Sequence, residues 1–310
     1  MPRRISTRSI IGISSFAFIT SAGAYSWSQQ RERYQQRFQS QSENKIPSNM
    51  AVTTPFQTLF AVPMTCEGCA KDITGALHKL PGITSVEASV KDQMVSVEGT
   101  AAPSAVVEAI QATGRDAILR GSGTSNSAAV SILETYHHRS DVEITPAGAP
   151  GESWVNERLV RGLARMVQVS PTETLVDLTV RGVAPGTYRA TIREYGDLKD
   201  GASSAGPVWS AQSRDGGGSR GVLGTVEVGA GGYGTVFLNR PFQIWEVIGH
   251  ALAISRQEET GGVPLGNDED TIVGVIARSA GVWDNDKTVC SCTGKTLWEE
   301  RKDEVSKGML

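Results

Sequence analysis

All four cysteines of this 310-residue chain fall into two close pairs. Cys66 and Cys69 sit in Met64-Thr65-Cys66-Glu67-Gly68-Cys69, and Cys290 and Cys292 sit in Val289-Cys290-Ser291-Cys292. No cysteine lies between Cys69 and Cys290. A secreted disulfide framework spreads its cysteines to staple loops, so this pattern is a different device. Two thiolates two or three residues apart can hold one soft metal ion or exchange electrons as a dithiol. Two such pairs near opposite ends suggest that something passes between them, or onward to a partner.

Length sets a prior of about two domains. Hydrophobic content of 39% and charged content of 20% are near globular averages, enough for one sizeable and one small core. The formal net charge of -3 offers no electrostatic footprint for nucleic acid, which is excluded as a partner. Abundant glycine, 34 residues, with 6% aromatics favours turn-rich β structure.

Residues 1–53 read as an N-terminal extension. Arg3, Arg4, Arg8 and Arg31 lie among serines, with no acid before Glu32, as in a mitochondrial presequence. Ile10 to Trp27 is at the short end for a membrane span, so membrane contact is expected only through this extension. Translation from Met50 is the other reading. The chain is then cytoplasmic, whereas translation of residues 1–49 adds a form in the mitochondrial intermembrane space.

Residues 54–120 have the rhythm of a small domain. Phe56, Thr58, Phe60 and Val62 alternate as a strand, and Ile73, Ala76, Leu77 and Leu80 follow the metal-type loop at helical spacing. Pro81-Gly82 stops that helix, Val86 to Val97 reads as a hairpin, and Pro103 opens a second helix ended by Thr113-Gly114. A last strand, Asp116 to Leu119, completes βαββαβ, a ferredoxin-like unit.

This order, with Met-Thr-Cys-x-x-Cys in its first loop, resembles the heavy-metal-associated domain of copper chaperones and copper pumps. The resemblance implies copper on Cys66 and Cys69, with Met64 bracing the loop from beneath and Arg115 near the metal. The chemistry agrees: Cu(I) is soft and suited by two thiolates. Cysteines at a helix N-terminus have lowered pKa values. A lone Cys-x-x-Cys also serves as a redox motif or half a zinc site. The lack of a second such pair, and the order of elements, argue against both.

Residues 121–127 read as a short flexible linker. From 128 to 283, short strands alternate with glycine-rich turns, as in an antiparallel sandwich or barrel. Glu194-Tyr195-Gly196-Asp197, Ala205-Gly206-Pro207, Ile248-Gly249-His250 and Gly274-Val275-Ile276-Ala277 come in an order that resembles Cu/Zn superoxide dismutase, a Greek-key β-barrel. The metal chemistry is missing. Against the dismutase pattern, Thr191-Ile192-Arg193 replaces His-x-His, and Val208, Val222 and Ser255 replace further ligands. Ala202 and Val273 replace the disulfide cysteines, and the active-site arginine falls near Asp270. The resemblance thus implies a scaffold without copper, zinc or dismutase activity, with His137, His138 and His250 structural. Ile276, Arg278, Ser279, Gly281 and Trp283 are expected to form the partner surface, since dismutases pair through the face around the last strand; ordinary core packing is the plainer reading, and Ile276 serves it in either case.

Residues 284–310 are charged and poor in apolar side chains, and read as a flexible tail. Its Cys290 and Cys292 suit copper delivery and thiol exchange by a mobile arm. A zinc half-site or two idle thiols is the plainer alternative. Taken together, the parts resemble the copper chaperones for superoxide dismutase, α+β followed by all-β. The resemblance implies no catalytic residues, Cu(I) as cargo and a heterodimer with Cu/Zn superoxide dismutase. It also allows a homodimer and a copper transporter as donor. A copper buffer without a client, or an active dismutase fusion, are the competing readings.

Overall fold

The computed structural model describes residues 54–137, 159–210, 220–258, 264–285 and 294–306, all within the compact unit Asn49–Leu310. The N-terminal extension, His138 and both cysteines of the second pair lie outside the described residues. Among the described residues, no helix is long and apolar enough to cross a membrane.

The first domain runs β1 (Phe56–Ala61), α1 (Glu67–Leu77), β2 (Ile83–Ser89), β3 (Met94–Gly99), α2 (Pro103–Ala112) and β4 (Ile118–Ser122). Its sheet has the order β2-β3-β1-β4, and every pair is antiparallel. The expected βαββαβ order is therefore present. Phe60, Val62, Ile73, Leu77, Val95 and Ile110 fill the core from strands and both helices. Phe56, at the outer end of the apolar stripe of β1, leaves that core and packs with Val167 and Leu175 of the second domain.

The second domain is a nearly closed barrel of eight antiparallel strands in the order β10-β7-β6-β5-β12-β11-β8-β9. They are β5 (Ala128–Thr135), β6 (Val160–Ser170), β7 (Glu173–Arg181), β8 (Gly186–Ile192), β9 (Val222–Val228), β10 (Tyr233–Arg240), β11 (Ala251–Ser255) and β12 (Ile272–Ser279). A short helix, α3 (Ile244–Val247), precedes β11. Inward residues alternate along the strands as half-buried sheets require, with Ala129 and Leu133 on β5 and Ala164 and Met166 on β6. The pattern of Tyr233 to Arg240 went unread in the sequence because glycine and threonine interrupt its apolar positions.

Two expectations change. The linker is not free: Ser122 N donates to Ala280 O at 3.2 Å, and Val282 N donates to Gly123 O at 2.9 Å. The chain after β12 lies against β4 because Gly121 and Gly281 both lack a side chain. A Cβ at Gly121 would fall 2.1 Å from Gly281 O. The tail is not all irregular either, since Leu297–Ser306 forms a helix, α4. Thr296 and Glu299 cap it reciprocally, Thr296 N donating to Glu299 Oε2 at 2.8 Å and Glu299 N to Thr296 Oγ1 at 3.3 Å. The Arg301 guanidinium of this helix pairs with Asp116 of the first domain.

The domains share a polar joint. Helix α2 begins after Ala102, which has no side chain to cap it. Asp177 of the barrel supplies the cap, accepting from Ser104 N and Ser104 Oγ at 2.7 Å each. Asp177 is 1% exposed and is faced by Arg165 at 3.6 Å. One turn along α2, Glu108 accepts from Tyr233 Oη.

Candidate metal centre

Strand β1 delivers the chain to a loop whose floor is buried. Met64 is 3% exposed and belongs to the first domain's core. Gln93, in the turn between β2 and β3, clasps its backbone: Met64 N donates to Gln93 Oε1 at 2.7 Å, and Gln93 Nε2 donates to Met64 O at 2.5 Å. The sequence offered no sign of this brace beyond a turn at Lys91-Asp92-Gln93.

Cys66 is the N-cap of α1 with extended backbone, and its carbonyl accepts from Cys69 N at 3.0 Å. That single turn brings the two sulfurs to 3.7 Å on the protein surface, with both thiols free. Thr65 Oγ1 lies 3.4 Å from Cys69 Sγ. The Thr65 hydroxyl and backbone, then Arg115, then the Cys66 backbone pull the Cys69 thiol down from 9.0 to about 6. Cys69 in turn raises the Arg115 guanidinium. Arg115 is further held by Asp72 at 3.3 Å and by the Thr113 carbonyl at 3.2 Å. At neutral pH Cys69 is therefore a thiolate, the form that binds metal and attacks disulfides. The pair presents two soft ligands beside one cation, an arrangement that fits a univalent soft ion.

Among the described residues, the barrel positions expected to differ from a dismutase hold side chains that do not bind copper or zinc. Thr191 and Arg193 are buried in place of the paired histidines, Val222 is 41% exposed, and Ser255 Oγ bonds Thr271 Oγ1 at 2.8 Å. Ala202 and Val273 share an apolar cluster where the disulfide would stand. His137 Nδ1 contacts Asn267 O at 3.1 Å, and His250 Nδ1 contacts Arg193 O at 2.7 Å, so each ring is engaged with backbone. Among the described residues, no group of three or more His, Cys, Asp or Glu is placed to hold a metal ion.

The expected partner surface needs correction. Ile276 is 0% exposed, because strand alternation turns it into the barrel core. Gly281 is buried against Thr124 and Ser125 at the joint with the first domain. Ser279 is half-buried in the ladder with Ala128, Arg278 is exposed and bonds Asn126, and Trp283 is 63% exposed. A different apolar surface is open: Ile132 on β5, Val275 on β12 and Tyr195 after β8 are 52%, 38% and 57% exposed. Gly196 and Gly249 meet beside Val275, a Cβ at Gly196 falling 3.6 Å from Val275 Cγ1. Alternation held the clue, since an inward Ile276 forces Val275 outward.

A surface dithiol on a ferredoxin-like domain, joined to a dismutase-type barrel with no metal-ligand cluster among its described residues, defines a metal-carrying two-domain protein. Residues 58–116 match the heavy-metal-associated domain family, and residues 160–276 match the copper/zinc superoxide dismutase family. The superoxide dismutase 1 copper chaperone of Saccharomyces cerevisiae is 39% identical over 260 residues, covering 83% of this chain and 98% of that protein. The copper chaperone for superoxide dismutase of Homo sapiens is 34% identical over 261 residues, covering 78% of this chain and 88% of that protein. The chain belongs to the family of copper chaperones for superoxide dismutase.

Proposed function

We propose that Cys66 and Cys69 carry Cu(I) and that the chain delivers it to a Cu/Zn superoxide dismutase docked on the barrel. The sulfur pair at 3.7 Å, with Cys69 lowered to about 6 beside Arg115, carries this reading. The exposed Ile132, Val275 and Tyr195 support docking, because a dismutase-type barrel can accept a homologous subunit in a dimer-like arrangement. Cu(I) is exchanged through shared thiolates, and Cys290 and Cys292 complete the delivery. The same tail pair, once oxidised to a disulfide by dioxygen, which takes the two electrons and two protons as hydrogen peroxide, accepts two electrons from the client's cysteines. A client thiolate attacks one tail sulfur, and the second client thiolate displaces it, leaving a client disulfide and a reduced tail. The protein itself has no substrate turnover beyond this exchange. A membrane copper transporter is the proposed donor, and the cytoplasm the proposed site, with an intermembrane-space form if residues 1–49 are retained.

Reconstitution tests the reading. The copper-loaded full chain is mixed with zinc-loaded, copper-free dismutase, and heterodimer and dismutase activity are measured. Activation is expected from the wild type, and docking without activation from C290S/C292S. Absence of both heterodimer and activation in the wild type would leave a copper buffer.

A further inference from the structure

The largest fully buried side chain among the described residues is a charged one, Arg193. Its Nε and Nη2 both donate to Gly206 O, at 3.0 and 2.5 Å, and Nη1 donates to Thr191 Oγ1 at 3.4 Å. The backbone of the same residue is equally engaged. Its N–H donates to Ala251 O at 2.7 Å, and its carbonyl meets His250 Nδ1 at 2.7 Å. Arg193 thus ties the end of β8 to residues 250–251 and, through its side chain, to the loop that follows.

That loop carries Tyr195. It folds back on itself as Glu194 N donates to Pro207 O at 2.9 Å and Tyr195 N to Ala205 O at 3.0 Å. Gly206, at φ +77°, is the contact point of both layers. Its carbonyl takes the guanidinium fork, and a Cβ on it would fall 2.5 Å from Cδ2 of the Tyr195 ring. Ordering such a loop opposes chain entropy, and among the described residues no metal-ligand set is placed to help. A planar fork with several fixed donors can lock one carbonyl through two bonds, which a single ammonium cannot.

We propose that Arg193 is a positioning residue: its buried guanidinium orders loop 194–209 and seats Tyr195 in the docking surface, so that the surface is preformed without metal. The consequence for docking rests on the chaperone reading above, whereas the ordering of the loop does not.

The test uses the full chain as wild type, R193M and R193K, each well below its own unfolding midpoint. Hydrogen exchange across residues 194–209 is followed beside Cu(I) affinity and docking to zinc-loaded dismutase. In R193M, exchange of the Glu194 and Tyr195 amides is expected to rise roughly tenfold or more, as for a lost charge-assisted hydrogen bond. Exchange in β5 to β7 and Cu(I) affinity stay unchanged, docking weakens, and neither R193K nor added zinc restores the loop. Where R193M does not fold, R193Q is expected to show the same selective acceleration to a smaller degree. Unchanged loop exchange, full rescue by lysine, acceleration spread evenly over the barrel, or a wild-type loop that tightens with zinc would each overturn the proposal. If the wild type docks no dismutase while its loop responds as expected, the docking reading fails and the loop assignment stands.

Discussion

Cys69 in the first domain and Arg193 in the barrel occupy opposite settings. Cys69 lies at the surface on the first turn of a helix, where Thr65 and Arg115 favour its charged form. Arg193 is fully buried, and its guanidinium donates to the Gly206 carbonyl and the Thr191 hydroxyl. The first arrangement leaves a ligand open to exchange, and the second closes the place where a dismutase-type barrel would hold metal. One domain is built to take a soft ion and release it, while the other keeps a shape. The difference teaches that chemistry here depends on which charged groups remain accessible, since each domain has a buried apolar core of its own.

Removing both thiols of the first domain is the strongest way to break this contrast. C66S/C69S should lose Cu(I) binding by the first domain in a competition with a Cu(I) chelator, because hydroxyl oxygens are poor ligands for a soft ion. The barrel should unfold at an unchanged midpoint. A shifted midpoint would mean that the two halves are less separate in role than their geometry suggests.

The joint between the halves ranks second. D177A leaves Arg165 facing an empty position and removes the cap of α2, so a loss of about 3–5 kcal/mol is expected from breaking a buried pair. Denaturant unfolding, followed by probes in each domain, measures it. Near-neutral stability would show that the joint is weaker than its two 2.7 Å bonds imply.

The smallest expected effect sharpens the account of the thiol. Arg115 stabilises the Cys69 thiolate, so R115A should raise the Cys69 pKa above about 6. Alkylation of Cys69 at neutral pH then slows, and its pH profile moves upward. In the wild type, Cu(I) affinity should begin to fall as pH drops below about 6, where protons compete for Cys69, and in R115A the fall begins at higher pH. Loss of a contact that supports a metal ligand typically changes metal affinity by about 10- to 100-fold. An unmoved profile would assign the low pKa to Thr65 and the Cys66 backbone.

Much of this was legible along the chain. The helical spacing of Ile73 and Leu77, the stop at Pro81-Gly82 and the hairpin after Val86 led directly to βαββαβ. The capping sequence Thr296-Leu297-Trp298-Glu299 was equally local and marked a helix that the tail's charge obscured. Other features had no local trace. Gln93 under Met64, Phe56 against Val167, and Asp177 on Ser104 join residues far apart in sequence, so no periodicity announces them. The burial of Gly281 is hidden for the same reason: it reads as a small surface residue until Gly121 is found against it.

The sequence by itself determined the two thiol pairs, the order of elements and the loss of the dismutase ligands, because spacing and residue type are local properties. Tertiary structure decided which groups face water. Only folding brings Arg115 to Cys69, turns Ile276 inward and Val275 outward, and buries the Arg193 guanidinium against the Gly206 carbonyl. Accessibility and electrostatic environment arise from neighbours distant in the chain, and those neighbours exist only once the strands have paired.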